Sequence, residues 1–203
     1  MSDVHSRIPW NEGEWFNTPS DVAIDGDALI VTAAEGSDLW RTTAYGFVHD
    51  NAHALLRPFR EGSAVEVSFV LDFEAQFDQA GILVREDEIH WLKAGMEISE
   101  EVAQVGAVVT RGMSDWSLAP VPEWHGGIVT VRVSWTGDAL TVRARSGTSA
   151  WRLVRVSPWT PSPSTVMAGA YLAAPTRAGL CVRFTEWSAG PADAELHSES
   201  SVQ

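Results

Sequence analysis

The feature that most narrows the fold of this chain is a period of two. Over residues 91–98, Trp91, Lys93, Gly95 and Glu97 alternate with Leu92, Ala94, Met96 and Ile98. Successive side chains of an extended chain point to opposite faces, so this segment has one apolar face and one polar one. The polar face carries an aromatic ring, a cation and an anion. With the residues before it, the stretch 78–97 reads as two adjacent strands joined by the acidic turn Glu86-Asp87-Glu88.

The same period recurs. Residues 63–73 set Val65, Val67, Phe69, Leu71 and Phe73 against Glu66, Ser68, Val70 and Asp72. Strands are also expected at 22–24 and 28–32 around Asp25-Gly26-Asp27, at 40–45, 79–85, 89–98 and 102–110. Further ones fall at 128–135 and 139–145 around Thr136-Gly137-Asp138, and at 151–156, 166–171 and 180–187. Residues 46–54 read as holding a turn at Asp50-Asn51. The aromatic stretch 10–20 reads as an irregular segment on a sheet edge, and Asp115-Trp116-Ser117 as a loop. No segment sustains the 3.6-residue apolar period of a helix. The pattern is that of an all-β, antiparallel two-sheet sandwich of jelly-roll type. Residues 10–188 make one domain, between a flexible segment 1–9 and a disordered acidic tail 189–203.

Charge excludes some functions. The net charge is -13, which argues against nucleic acid and against an anionic membrane surface, since both are bound by Lys and Arg. The N-terminus has no apolar leader and no run reaches membrane-spanning length, which points to the cytoplasm. The single cysteine, Cys181, lies in an alternating apolar run and reads as buried and inert. No Gly-rich phosphate loop calls for a cofactor. His49 and His53 stand four apart around a turn, so no metal site is assigned. Oligomeric state is not fixed by the sequence.

The residues with chemistry to offer cluster around the polar strand face. Of 14 basic residues only Lys93 is a lysine. Among the 10 tryptophans, Trp135 and Trp187 end apolar strands and read as core, while Trp40, Trp91 and Trp116 sit beside polar residues. Amphipathic rings of this kind stack on sugar faces while nearby polar groups bond the hydroxyls. The expected contacts are Trp40, Tyr45, Trp91 and Trp116 for stacking, with Gln79, Lys93, Glu97 and Asp115 as polar partners. Lys93 and Glu97 lie about 13 Å apart along the strand, so each needs a partner from elsewhere. Asp78, Asp87 and Asp115 are the candidates for Lys93. An enzyme acting on glycosidic bonds would join Glu97 to Asp78, Glu86 or Asp87, and a protein-docking scaffold would instead expose an apolar patch.

Several of these residues stand in a familiar order: Asp38-Leu39-Trp40-Arg41, Tyr45-Gly46-Phe47, Asp78-Gln79-Ala80-Gly81, Trp91-Leu92-Lys93-Ala94-Gly95-Met96-Glu97 and Asp115-Trp116-Ser117. The order resembles the "regulation of enolase protein" family, a domain-of-unknown-function family of the concanavalin A-like lectin/glucanase superfamily. The resemblance spans about residues 10–188 and implies a two-sheet jelly roll whose concave sheet carries the pocket. It implies no activity. The Glu86-Asp87-Glu88 turn also departs from the strand-borne Glu-x-Asp-x-x-Glu pattern of jelly-roll glucanases. The reading that results is a lectin-like protein recognising a carbohydrate or polyol.

Overall fold

The computed structural model describes residues 5–161 and 165–196. Strands β1 to β6 cover Ser6–Arg7, Glu14–Phe16, Asp21–Asp25, Ala28–Thr32, Leu39–Arg41 and Val48–Asp50. Strands β7 to β12 cover His53–Pro58, Ser63–Val70, Gln79–Arg85, His90–Ser99, Val102–Arg111 and Met113–Pro120. Strands β13 to β17 cover Ile128–Thr136, Ala139–Ser146, Arg152–Pro158, Met167–Ala173 and Cys181–Pro191. Among the described residues the helical elements are two single 3₁₀ turns, Trp10–Glu12 and Pro122–Trp124. None is long and apolar enough to cross a membrane.

Two antiparallel sheets face each other. One runs β15-β14-β13-β8-β17-β4-β3, with β1 added beside β17; the other runs β12-β11-β10-β9-β16-β7-β2. The apolar alternation decides which faces meet. Val65, Val67 and Phe69 of β8 and Val129, Val131 and Val133 of β13 pack against Ile82 and Val84 of β9 and Leu92, Ala94 and Met96 of β10. Trp135 and Trp187 join this core as expected. A third, two-stranded ribbon of β5 and β6 lies on the outer face of the seven-stranded sheet.

The sequence expectations differ from the structure in several places. Residues 40–45 are not one strand: β5 stops at Arg41, and Thr42, Ala44 and Gly46 all take positive φ (55, 61 and 76°) to reverse the chain. The β-branched composition favours a strand, but the turn geometry prevails. Residues 53–58 form an unanticipated strand, because their apolar run lacks polar alternation; it is buried between neighbours β16 and β2. Residues 115–117 are strand, not loop. Both chain ends are more ordered than expected within the described residues. Ile8 is buried, and β1 pairs with β17. β17 runs on to Pro191, and beyond it Asp193 is held by Arg132 and Arg143. The remainder of the expected tail, 197–203, and residues 1–4 lie outside the described residues. Cys181 is exposed, since it points outward from β17 while Leu180 and Val182 point in.

Candidate functional site

The outer face of the seven-stranded sheet is built from the polar phase of its strands. Gln79 and Gly81 of β9 stand opposite Glu97 and Gly95 of β10. Gly95 faces Gly106 of β11, and Gly81 faces Tyr171 of β16. The glycines in this row are required by close approach: a Cβ on Gly95 would lie 2.2 Å from the Ala80 carbonyl oxygen and 2.7 Å from the Gly81 Cα. Tyr171, Gly95, Gly106 and Trp116 line one crevice.

The ribbon covers part of this face. Leu39 and Trp40 pack with Trp91, Leu83, Val108 and Tyr171 in a second apolar cluster, separate from the core between the sheets. The Arg41 amide donates to Ser114 Oγ at 2.9 Å, and Asp50 pairs with Arg85 at 3.5 Å. Burial raises the Asp50 carboxyl above its usual range, with Arg85 opposing. Ahead of β5, Asp38 is fixed by Asn51: the Asp38 amide donates to Asn51 Oδ1 at 3.0 Å, and the Asn51 side-chain amide donates to the Gly36 carbonyl at 3.1 Å.

Ribbon and sheet enclose a cavity of about 340 Å³. Its walls are aromatic: Trp40 meets Trp116 edge-on at 6.0 Å and Tyr45 at 5.6 Å, and Tyr45 stacks on Phe47 at 5.3 Å. Tyr45 and Phe47 are 55% and 41% exposed, so they form the rim. The floor is polar. The Lys93 ammonium donates to Asp38 Oδ1 at 2.9 Å and to Gln79 Oε1 at 2.8 Å, and the Tyr171 hydroxyl donates to Gln79 Oε1 at 3.2 Å. Burial, then the charges of Glu97 and Asp38, push the Tyr171 phenol well above its ordinary value, so it stays a neutral donor.

Glu97 lines the same floor and is 8% exposed. Its Oε1 is buried with no hydrogen-bond partner among the described residues. Burial raises its pKa from 4.5 to about 7; Lys93 pulls it down and Asp38 pushes it up. Desolvation therefore outweighs the nearby ammonium, whose closest carboxylate is Asp38 and not Glu97.

Of the sequence-expected residues, Trp40, Tyr45, Gln79, Lys93, Glu97 and Trp116 converge on the cavity. Three do not. Trp91 does face away from the core, but the ribbon covers it completely, at 0% exposure, so it is no stacking surface. Asp115 stands opposite the core residue Val109, on the other face of its strand, and pairs with Arg155 at 2.6 Å. Asp78 is buried outside the cavity, where Arg177 grips it with Nε at 3.0 Å and NH2 at 2.5 Å. It cannot be the second carboxylate beside Glu97. Asp87 is committed to the turn, where it accepts from the amides of Ile89 and His90 at 2.8 Å.

The partner of Lys93 that the sequence did not reveal is Asp38, 55 residues away. Tyr171, Phe47 and His49 were also missed as wall or floor residues. His53 is tied into backbone contacts, accepting at Nε2 from the Ala34 amide at 3.0 Å and donating from Nδ1 to the Asn17 carbonyl at 2.9 Å.

These elements define a concanavalin A-like β-sandwich whose seven-stranded sheet holds, on its outer face, a roofed, aromatic-walled polar pocket. The chain belongs to the family described as "Protein of unknown function (DUF1349)", whose model matches residues 15–192. The Saccharomyces cerevisiae protein "Regulation of enolase protein 1" is 36% identical over 194 residues, covering 94% of this chain and 96% of that protein. The crystal structure of a functionally unknown protein from Saccharomyces cerevisiae has a TM-score of 0.83 at 35% identity, over 92% of this chain and 100% of that one. At 13% identity, lectin I-B4 from Griffonia simplicifolia has a TM-score of 0.56, over 89% and 93% of the two chains. The GH43 BlXynB protein from Bacillus licheniformis has a TM-score of 0.65 at 14% identity, over 81% of this chain and 33% of that one. The last two likenesses are of fold.

Proposed function

We propose that the chain is a binding protein for a small polyhydroxylated ligand, a carbohydrate or polyol, seated between the ribbon and the seven-stranded sheet. The observation that carries this reading is the pairing of stacked and edge-on rings with a buried polar floor in one cavity. A cavity of about 340 Å³ suits one small molecule and not an extended chain. Trp116, Tyr45 and Phe47 present apolar ring surface to the flat face of such a ligand. Gln79, Lys93 and Asp38 form a preorganised hydrogen-bonded set whose free lone pairs and protons meet hydroxyls. The proposed setting is the cytoplasm.

The test is calorimetry with a panel of monosaccharides, short oligosaccharides and polyols. Saturable binding is expected, weakened about tenfold or more by Tyr45→Ala, a change at an exposed position that leaves the core intact. A panel with no saturable binder, or a binder indifferent to both Tyr45→Ala and Trp116→Ala, would overturn it.

A second reading, cleavage of a glycosidic bond, is favoured by one observation: Asp38 shares the cavity with Glu97, giving two carboxylates of unlike environment. It predicts turnover of an aryl glycoside that Glu97→Gln and Asp38→Asn each abolish. Binding without turnover across the panel would set it aside.

A further inference from the structure

We propose that the ligand of this pocket carries a positive charge beside its hydroxyls, as an amino sugar or an aminated polyol does, and that Glu97 is the group that receives it. This rests on the reading of the cavity as a site for a polyhydroxylated molecule, and narrows it.

The argument begins with the charges on the floor. The polar groups that share the floor and cavity with Glu97 are Lys93 on its own strand, Asp38 ahead of β5, His49 on β6, Gln79 on β9 and Tyr171 on β16, and Gln104 of β11 is its cross-strand neighbour. Lys93 is matched by Asp38 at 2.9 Å, and its ammonium also donates to Gln79. Tyr171 spends its proton on the same Gln79 oxygen. Glu97 is left over. Among the described residues it has neither a hydrogen-bond nor an ion-pair partner, although it is more than nine-tenths buried and lines the cavity. A buried carboxylate without a partner is strongly disfavoured, and it is relieved either by taking up a proton or by a counter-charge. A cation in the cavity supplies that partner.

The walls suit the same chemistry. Four rings, Trp40, Tyr45, Phe47 and Trp116, surround the space above the floor. Their faces carry negative charge density that attracts an ammonium within about 6 Å. The chain as a whole carries a net charge of -13, so its field draws cations toward it. A neutral sugar would use the rings but leave the carboxylate uncompensated. An anionic one would add a second negative charge beside it.

The experiment compares three forms of one sugar by calorimetry: 2-amino-2-deoxyglucose, its N-acetyl derivative and glucose. The galactose and mannose series, and tetramethylammonium, complete the set. Each is titrated into the wild type and into Glu97→Gln, which keeps the shape of the side chain and removes its charge. The expected result is an amine bound about tenfold or more tighter than its neutral parents, a preference that falls to within about twofold in Glu97→Gln. The quantity compared is the ratio of amine to neutral-parent affinity within each protein, so any general loss of binding in the variant cancels. Amine and neutral forms bound equally by the wild type would overturn the charge requirement and leave the binding reading standing. An amine preference that survives Glu97→Gln would overturn the role of Glu97. Tetramethylammonium bound as well as any amino sugar, or no binding by any probe, would remove the polyhydroxylated ligand itself and the proposal with it. Thermal unfolding of Glu97→Gln confirms that the variant folds.

Discussion

The two sheets carry buried charge on their outer faces, and they treat it differently. On the eight-stranded sheet, Arg132 pairs with Glu66 at 3.1 Å and with Asp193 at 2.8 Å, and Arg143 pairs with Asp193 at 3.1 Å. Two cations meet two carboxylates, and the set clamps β8, β13, β14 and the chain beyond β17 together. On the seven-stranded sheet, Lys93 meets Asp38, and Glu97 has neither an ion-pair nor a hydrogen-bond partner among the described residues. In the first cluster every charge has an ion-pair partner, although Arg132 Nε, like Glu97 Oε1, is buried without a hydrogen-bond partner among the described residues; in the second, Glu97 has no ion-pair partner among them. Both occupy antiparallel sheet faces of one domain, so the difference lies in the charge count and not in the type of structure. A charge-balanced buried network needs only a structural role, whereas a carboxylate left without an ion-pair partner in a cavity is the feature on which the proposed site rests.

The largest expected effect comes from removing the cation of the unbalanced set. Lys93→Met leaves Asp38 buried without its ion-pair partner and removes the charge that pulls the Glu97 pKa down, and is expected to destabilise by about 3–5 kcal/mol in urea unfolding. The paired control, Arg132→Met, removes the centre of the balanced set and should lose a similar amount. A loss under about 1 kcal/mol for Lys93→Met would mean that the ammonium is not holding the floor.

The next effect has opposite signs on the two sheets. Glu97 has a folded pKa of about 7 against 4.5 unfolded, so the native state holds its proton more tightly. Its contribution is therefore unchanged below about 4.5, declines as pH rises toward 7, and levels off above that, a loss of roughly 3 kcal/mol. Glu97→Gln should remove that decline. Measured by thermal unfolding, it should match the wild type near pH 4 and exceed it by up to roughly 3 kcal/mol near pH 8. Glu66→Gln should instead destabilise near pH 8, by about 1–3 kcal/mol, because it leaves Arg132 short of a partner. The same sign for both variants would break the comparison.

Smaller effects probe how the floor is assembled. Gly95→Ala forces a Cβ against the Ala80 carbonyl and should lose about 1–3 kcal/mol as β9 and β10 separate. Tyr171→Phe removes one hydrogen bond to Gln79 and should lose about 1 kcal/mol, with the ligand affinity falling in parallel.

Much of the architecture was legible in the sequence because sheet faces follow a strict period. The core of β8, β10 and β13 and the two hairpins at Gly26-Asp27 and Gly137-Asp138 could be read from alternation and turn chemistry. The polar phase of β10 likewise placed Lys93 and Glu97 on one face. What alternation cannot say is whether an outward face is open. Trp91 points away from the core as expected, yet the β5–β6 ribbon lies over it, and a ribbon's docking is set by contacts distant in sequence. The same distance hid Asp38, which reaches Lys93 only because Asn51 pins the chain ahead of the ribbon. Asp115 was misassigned because, once its segment is strand, its phase turns it toward Arg155. Asp78 was misassigned because nothing in the sequence sets Arg177 beside it.

The most direct measurement is the titration of Glu97 itself, followed by carboxyl carbon NMR with Glu97→Gln used to assign the signal. An unpartnered, buried carboxylate should titrate at about 7, well above its ordinary 4.5, and its midpoint should fall when a saturating ligand supplies the missing positive charge. A midpoint near 4.5 in the free protein would show that Glu97 is already compensated, and the distinction between the two sheet faces would not hold.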